Sequence, residues 1–203
     1  ASMMASFVES KEKPLLYVAE SFYARGTSGE RTDVISIYDK STLRKVTEVV
    51  LPKKNRAQMV TNKYMLNLVD NDKYLLILGF TPASSVMIMD TETNEIINEI
   101  SIAGCNLIYP AGETGFASLC GNGGMKAVDF DDEGKEISRV DFEPFFSVDD
   151  DPLFDKPVYI GDTAFFLSYK SLVQPIDMST SVPVIKSTWS LVSEAEAKAN
   201  WRP

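Results

Sequence analysis

The chain has 203 residues, 44% of them hydrophobic and 24% charged, and its 29 acidic against 20 basic residues give a net charge of −9. That composition describes an ordinary soluble globular protein, and the acid excess disfavours non-specific binding to nucleic acid. Histidine is absent, which removes Ser-His-Asp and Cys-His nucleophile arrangements and every zinc site built on imidazole.

No apolar run approaches the roughly 20 residues of a membrane-spanning helix. The N-terminus does not read as an intact signal peptide. Residues 1–14 are polar and mixed, and are expected to be a tail or a connection ending at Pro14. Leu15-Leu16-Tyr17-Val18 is strand-like. Phe22 to Arg31, with Gly26 and Gly29 among small polar residues, is expected to be a loop.

A phrase then begins that recurs along the chain: a β-rich apolar run, an Asp, turn residues and a second β-rich run. Its copies are Val34–Asp39, Val86–Asp90, Ala127–Asp131 and Pro175–Asp177, with the aspartates Asp39, Asp90, Asp131 and Asp177 spaced by 51, 41 and 46 residues. Each Asp is placed to cap the backbone of the following turn. A period near this length, with several strands per unit, is the signature of propeller blades. Between copies lie further strand signals at Met65–Leu68, Tyr74–Phe80, Leu107–Pro110, Gly115–Cys120, Val158–Ile160 and Ala164–Tyr169. The expected architecture is therefore an all-β propeller, with about four blades over residues 15–188. Residues 189–203 form a short helical connection in which Ser193 and Glu196 make a capping box.

Lys53-Lys54-Asn55-Arg56 is a basic loop, expected to be a solvated surface. The Asp149-Asp150-Asp151 run with Asp155 lacks the EF-hand pattern, so a solvated inter-blade loop is preferred over a calcium site. Cys105 and Cys120, 15 residues apart, cannot make a four-ligand zinc site. They are either two buried thiols or a disulfide across neighbouring strands.

Taken together, several segments carry a family resemblance. They are Gly29-Glu30-Arg31-Thr32-Asp33, Phe80-Thr81-Pro82-Ala83 with Val86 and Asp90, the Cys105/Cys120 pair and Tyr109-Pro110. The tail adds Trp189-Ser190-Leu191, Glu194-Ala195-Glu196 and Trp201-Arg202-Pro203. In order and spacing the chain resembles, over about residues 15–203, the large (heavy) subunit of the methylamine and aromatic amine dehydrogenases.

The resemblance implies a seven-bladed propeller of which this chain covers a middle portion. It implies a periplasmic heterotetramer of two large and two small subunits, and a precursor with a leader. Such enzymes oxidise primary amines to aldehydes and ammonia and pass electrons to a blue copper protein. Their cofactor, tryptophan tryptophylquinone, is made from two tryptophans of the small subunit, so Trp189 and Trp201 are packing residues. No catalytic residue or metal site is expected in this chain. The Cys105/Cys120 pair is implied to be a disulfide, consistent with an oxidising compartment.

An aromatic side chain just before the Gly-Glu-Arg-Thr-Asp stretch gates the family's substrate channel. Tyr23 aligns with it where the usual residue is Phe, and Phe22 lies beside it. The alternative for both rings is simple packing at a blade end. Two other functions are weighed: a stand-alone propeller that binds proteins, and a propeller hydrolase of the lactonase kind. The hydrolase is disfavoured by the missing histidine.

Overall fold

The computed structural model describes residues 5–53, 55, 56 and 61–199. Within them each copy of the recurring phrase is the outer hairpin of an antiparallel sheet, four-stranded in three cases and five-stranded in the fourth. Blade 1 is β1 (Ser6–Glu9), β2 (Leu15–Arg25), β3 (Ser28–Asp39) and β4 (Lys45–Val50). Blade 2 is β5 (Leu66–Val69), β6 (Tyr74–Gly79), β7 (Ser85–Asp90) and β8 (Glu95–Ser101). Blade 3 is β9 (Cys105–Ala111), β10 (Gly115–Cys120), β11 (Met125–Phe130) and β12 (Glu136–Phe142). Blade 4 is β13 (Val158–Ile160), β14 (Thr163–Leu167), β15 (Leu172–Asp177) and β16 (Val184–Ile185), with β17 (Trp189–Ser190) also pairing β15. Strands pair in sequence order, the up-and-down meander of a propeller blade.

The recurring aspartate has the expected cause. Asp39 Oδ1 accepts from the amides of Ser41 (3.1 Å) and Thr42 (2.8 Å). Asp90 Oδ1 accepts from Glu92 (2.7 Å) and Thr93 (2.9 Å), and Asp131 Oδ1 from Glu133 (3.0 Å) and Lys135 (2.8 Å). Asp177 Oδ1 accepts from Ser179 (3.1 Å). Each carboxylate thus satisfies turn amides that the sheet ladder cannot reach.

The hydroxyls and amides of Ser41 and Thr42 hold the Asp39 carboxyl down at about 2. A group depressed in the folded state stabilises fully above its unfolded value of about 4 and loses that contribution as pH falls. A carboxyl-carbon NMR titration should therefore show Asp39 with a midpoint near 2. Asp39→Ala should lower the melting temperature at pH 7, by an amount that shrinks as pH falls from about 4 through 2.

Packing between blades explains the apolar runs. All of Tyr74–Gly79 in β6 is buried, because blade 2 is covered on both faces. Its Leu75, Ile77, Met87 and Met89 pack with Tyr17, Ile35 and Ile37 of blade 1. Tyr74, Leu76, Leu78, Val86 and Ile88 point the other way, into one cluster with Tyr109, Phe116 and Val128 of blade 3 and Phe166 of blade 4. The outermost β4 and β12 are mostly exposed. The Gly121–Gly124 turn requires glycine at Gly123: φ is +86°, and a Cβ there would fall 2.1 Å from the Phe146 carbonyl oxygen.

Four expectations change. Trp189–Ser190 is not part of the helical connection but pairs with β15 as β17 of blade 4. Residues 6–9 are not tail but the first strand of blade 1, and Ser10 to Glu12 cap the blade 2 turn. Asp72 accepts from Ser10 Oγ (2.6 Å) and from the amides of Lys11 (2.5 Å) and Glu12 (2.9 Å). Phe22 to Arg31 is not a loop: β2 and β3 continue through it and turn only at Gly26-Thr27. The basic loop divides, with Lys53 exposed and paired to Glu99, whereas Asn55 and Arg56 are buried. Lys54 lies outside the described residues.

At the C-terminal end the capping box forms as expected. Ser193 Oγ accepts from the Glu196 amide, and Glu196 accepts from the Ser193 amide at 2.8 Å, at the start of α1 (Glu194–Lys198).

Candidate functional site

The two longest strands make the site. β1 pairs with β2 only as far as Ala19, and β4 pairs with β3 only as far as Val34. Beyond those points, among the described residues, Glu20–Arg25 and Ser28–Asp33 pair only with each other, so a two-stranded arm continues past the blade. Six residues per strand carry it about 20 Å. A free two-stranded ribbon is marginally stable in water, so its base must be held by something else.

A buried ionic cluster does this. Asp33 is 1% exposed, and both of its carboxylate oxygens are used. Oδ1 accepts from Ser21 Oγ (2.5 Å) and Arg31 Nε (2.7 Å). Oδ2 accepts from Arg31 Nη2 (2.6 Å) and the Arg56 amide (3.3 Å). Arg31 Nη2 also donates to the Arg56 carbonyl (2.8 Å), and Arg56 Nη1 donates to Ser21 Oγ (2.7 Å). Burial pushes the Arg56 guanidinium below the ordinary arginine value, and the Asp33 charge opposes that shift. The Leu51 amide adds a 2.8 Å bond to the Asp33 carbonyl. The arm base and the segment after β4 are thereby tied into one unit.

Register separates the two aromatic candidates. Ser21 opposes Asp33 and Tyr23 opposes Arg31, whereas Phe22 opposes Thr32. Opposed residues share a face, and faces alternate along a strand. Tyr23 therefore lies on the face of the Ser21–Arg31–Asp33–Arg56 cluster, half-buried. Phe22 lies on the other face and is 36% exposed. Reading the residues in isolation missed Ser21 and Arg56. The usable signal was Arg31 and Asp33 two apart on a strand, a same-face pair that demands a buried partner.

Cys105 and Cys120 are directly opposed on β9 and β10 and form a disulfide. They stand in blade 3, apart from the blade 1 arm. Asp149 and Asp150 are exposed, as a solvated loop requires, whereas Asp151 and Asp155 are held by hydrogen bonds. Asp151 accepts from Ser168 Oγ (2.9 Å) and the Lys170 amide (2.6 Å), and Asp155 from Asn62 Nδ2 (2.8 Å). Among the described residues no group of three or more His, Cys, Asp or Glu is arranged to hold a metal ion. Trp189 sits on the short strand β17, 49% exposed, and Trp201 lies outside the described residues.

A sequence model of the methylamine dehydrogenase heavy chain matches residues 1–203. The chain belongs to the methylamine dehydrogenase heavy-chain family. It is 24% identical to the heavy chain of Methylobacillus flagellatus over 98% of this chain and 50% of that protein. It is 25% identical to that of Paracoccus versutus over 91% of this chain and 43% of that protein. The chain thus spans about half the length of these relatives.

Solved structures agree on the fold alone. The β-propeller domain of Cps50 (Swd1) from Myceliophteria thermophila superposes with a TM-score of 0.57 at 13% identity, over 95% of this chain and 58% of that one. Dihydro-heme d1 dehydrogenase NirN gives 0.57 at 14% identity, over 94% of this chain and 37% of that one. Among the described residues no helix of this heavy-chain relative is long and apolar enough to cross a membrane.

Proposed function

We propose that this chain is the scaffold and part of the substrate channel of a periplasmic quinoprotein amine dehydrogenase. The enzyme oxidises a primary amine to an aldehyde and ammonia and delivers the electrons to a blue copper protein. The observation that carries this reading is the heavy-chain family match along residues 1–203. The disulfide supports an oxidising compartment. Repeat folds often serve only to present surfaces, and in this reading the partner supplies the chemistry. In this reading two large and two small subunits assemble. Tryptophan tryptophylquinone in the small subunit provides the two-electron oxidation, and the large subunit decides which amines reach it.

Tyr23 is the residue in this chain to which we assign that selection. Its ring sits on an arm that projects past blade 1, and the arm's base is fixed by buried charge. Phe22, on the opposite face, is assigned no role in the channel.

Affinity purification of the full-length protein from its native host tests the assembly. A small, cysteine-rich chain should co-purify in equal amount and survive gel filtration. A large subunit that elutes alone would favour a stand-alone binding propeller.

A further inference from the structure

The cluster at the arm base does more than fill space, because its members alternate with the gate along the same two strands. Ser21 and Tyr23 occupy one face of β2, and Arg31 and Asp33 the same face of β3. Arg31 is both the cross-strand neighbour of Tyr23 and the bidentate partner of Asp33. Its side chain therefore runs back from the gate's own level into the buried carboxylate. Arg56, from the segment after β4, closes the cluster from a third direction through its amide, carbonyl and guanidinium. A hinge at Glu20–Ser21 would have to break several charge-assisted bonds at once.

We infer that Asp33, Arg31, Ser21 and Arg56 are positioning residues for Tyr23, and that they set the substrate preference of the channel by fixing the arm that carries the ring. This rests on the reading of Tyr23 as the channel gate. The ligand class is a primary amine, discriminated by the bulk of its carbon substituent. The cluster contacts no substrate; it acts through the arm.

The test uses the full-length protein assembled with its small subunit, and compares benzylamine with methylamine as substrates. The ratio of their kcat/KM values is independent of how much enzyme is folded, so a merely structural defect leaves it unchanged. Tyr23→Ala is expected to shift that ratio. Asp33→Asn should shift it in the same direction by about fivefold or more, and Ser21→Ala in that direction by less. The double variant Tyr23→Ala with Asp33→Asn should show little beyond Tyr23→Ala alone, since the cluster acts through the ring.

Amide hydrogen exchange over residues 20–33 should quicken by about tenfold in Asp33→Asn while the blade amides keep their rates. If Asp33→Asn does not assemble, Ser21→Ala decides. A ratio that moves with Tyr23→Ala but stays within about twofold of native in both cluster variants overturns the inference and spares the gate. A ratio that Tyr23→Ala leaves unmoved overturns the gate reading, and the positioning role falls with it.

Discussion

Phe166→Ala is expected to destabilise the protein by about 3–5 kcal/mol, the usual range for removing a fully buried aromatic ring. Phe166 is 0% exposed in β14 and meets Tyr109 of blade 3 edge-on at 5.1 Å. Tyr109 in turn lies 4.8 Å from Tyr64, which leads into blade 2. The file of rings thus crosses three blades. Their hydroxyls also hold the segment before β13: Tyr64 donates to the Pro157 carbonyl (3.0 Å) and Tyr109 to that of Asp155 (2.9 Å). Burial pushes the Tyr109 phenol well above its ordinary value, so it remains a neutral donor.

The rigid blade sheets cannot collapse onto the space Phe166 leaves, which places the cost toward the upper end of the range. The full-length protein should melt roughly 10 °C lower. Phe166→Leu, which keeps most of the volume, should lose less than half as much. A Phe166→Ala protein that melts within about 2 °C of native would show that the blades do not cohere through this file.

Tyr23→Ala is expected to raise kcat/KM for a bulky primary amine relative to methylamine by about 10–100-fold. The scale follows from apolar discrimination, in which each methylene of misfit is worth roughly 1–3 kcal/mol. Tyr23→Phe should behave nearly as the native protein, because in the proposed gate it is the ring and not the hydroxyl that excludes. Phe22→Ala is the control, since Phe22 faces away from the cluster. Its ratio should stay within about twofold of native. The opposite pattern, with Phe22→Ala changing selectivity and Tyr23→Ala silent, would move the gate to the other face of the arm.

The blades were legible because their cause is local. An Asp at the end of an apolar run caps its own turn through amides two to four residues away, so Asp39, Asp90, Asp131 and Asp177 announce their hairpins from sequence alone. The capping box at Ser193 is equally local. The disulfide needed only that its cysteines flank one hairpin, although the residues by themselves left free thiols open.

What stayed hidden depends on distant partners. Ser6–Glu9 carries little strand signal, and it is a strand because β2 offers an edge and Asp72 captures the following amides. The arm looked like a loop because Gly26, Gly29 and small polar residues lack β propensity. Cross-strand pairing and the Asp33 cluster override that preference. Arg56 sat in a run of basic residues that resembled solvated surface. Only a carboxylate 23 residues earlier, itself needing a partner in the interior, draws it inside. The proposed gate role of Tyr23 rests on the family resemblance, while the register places Tyr23 and Phe22 on opposite faces of the arm.

The most direct test of the account is the visible spectrum of the full-length protein purified with its small subunit, followed as a primary amine is added without oxygen. The account predicts a visible absorption band, absent from the separated large subunit, that bleaches at one amine per quinone and returns when an oxidised blue copper protein is supplied. A complex that is colourless, or whose colour ignores primary amines, would contradict it.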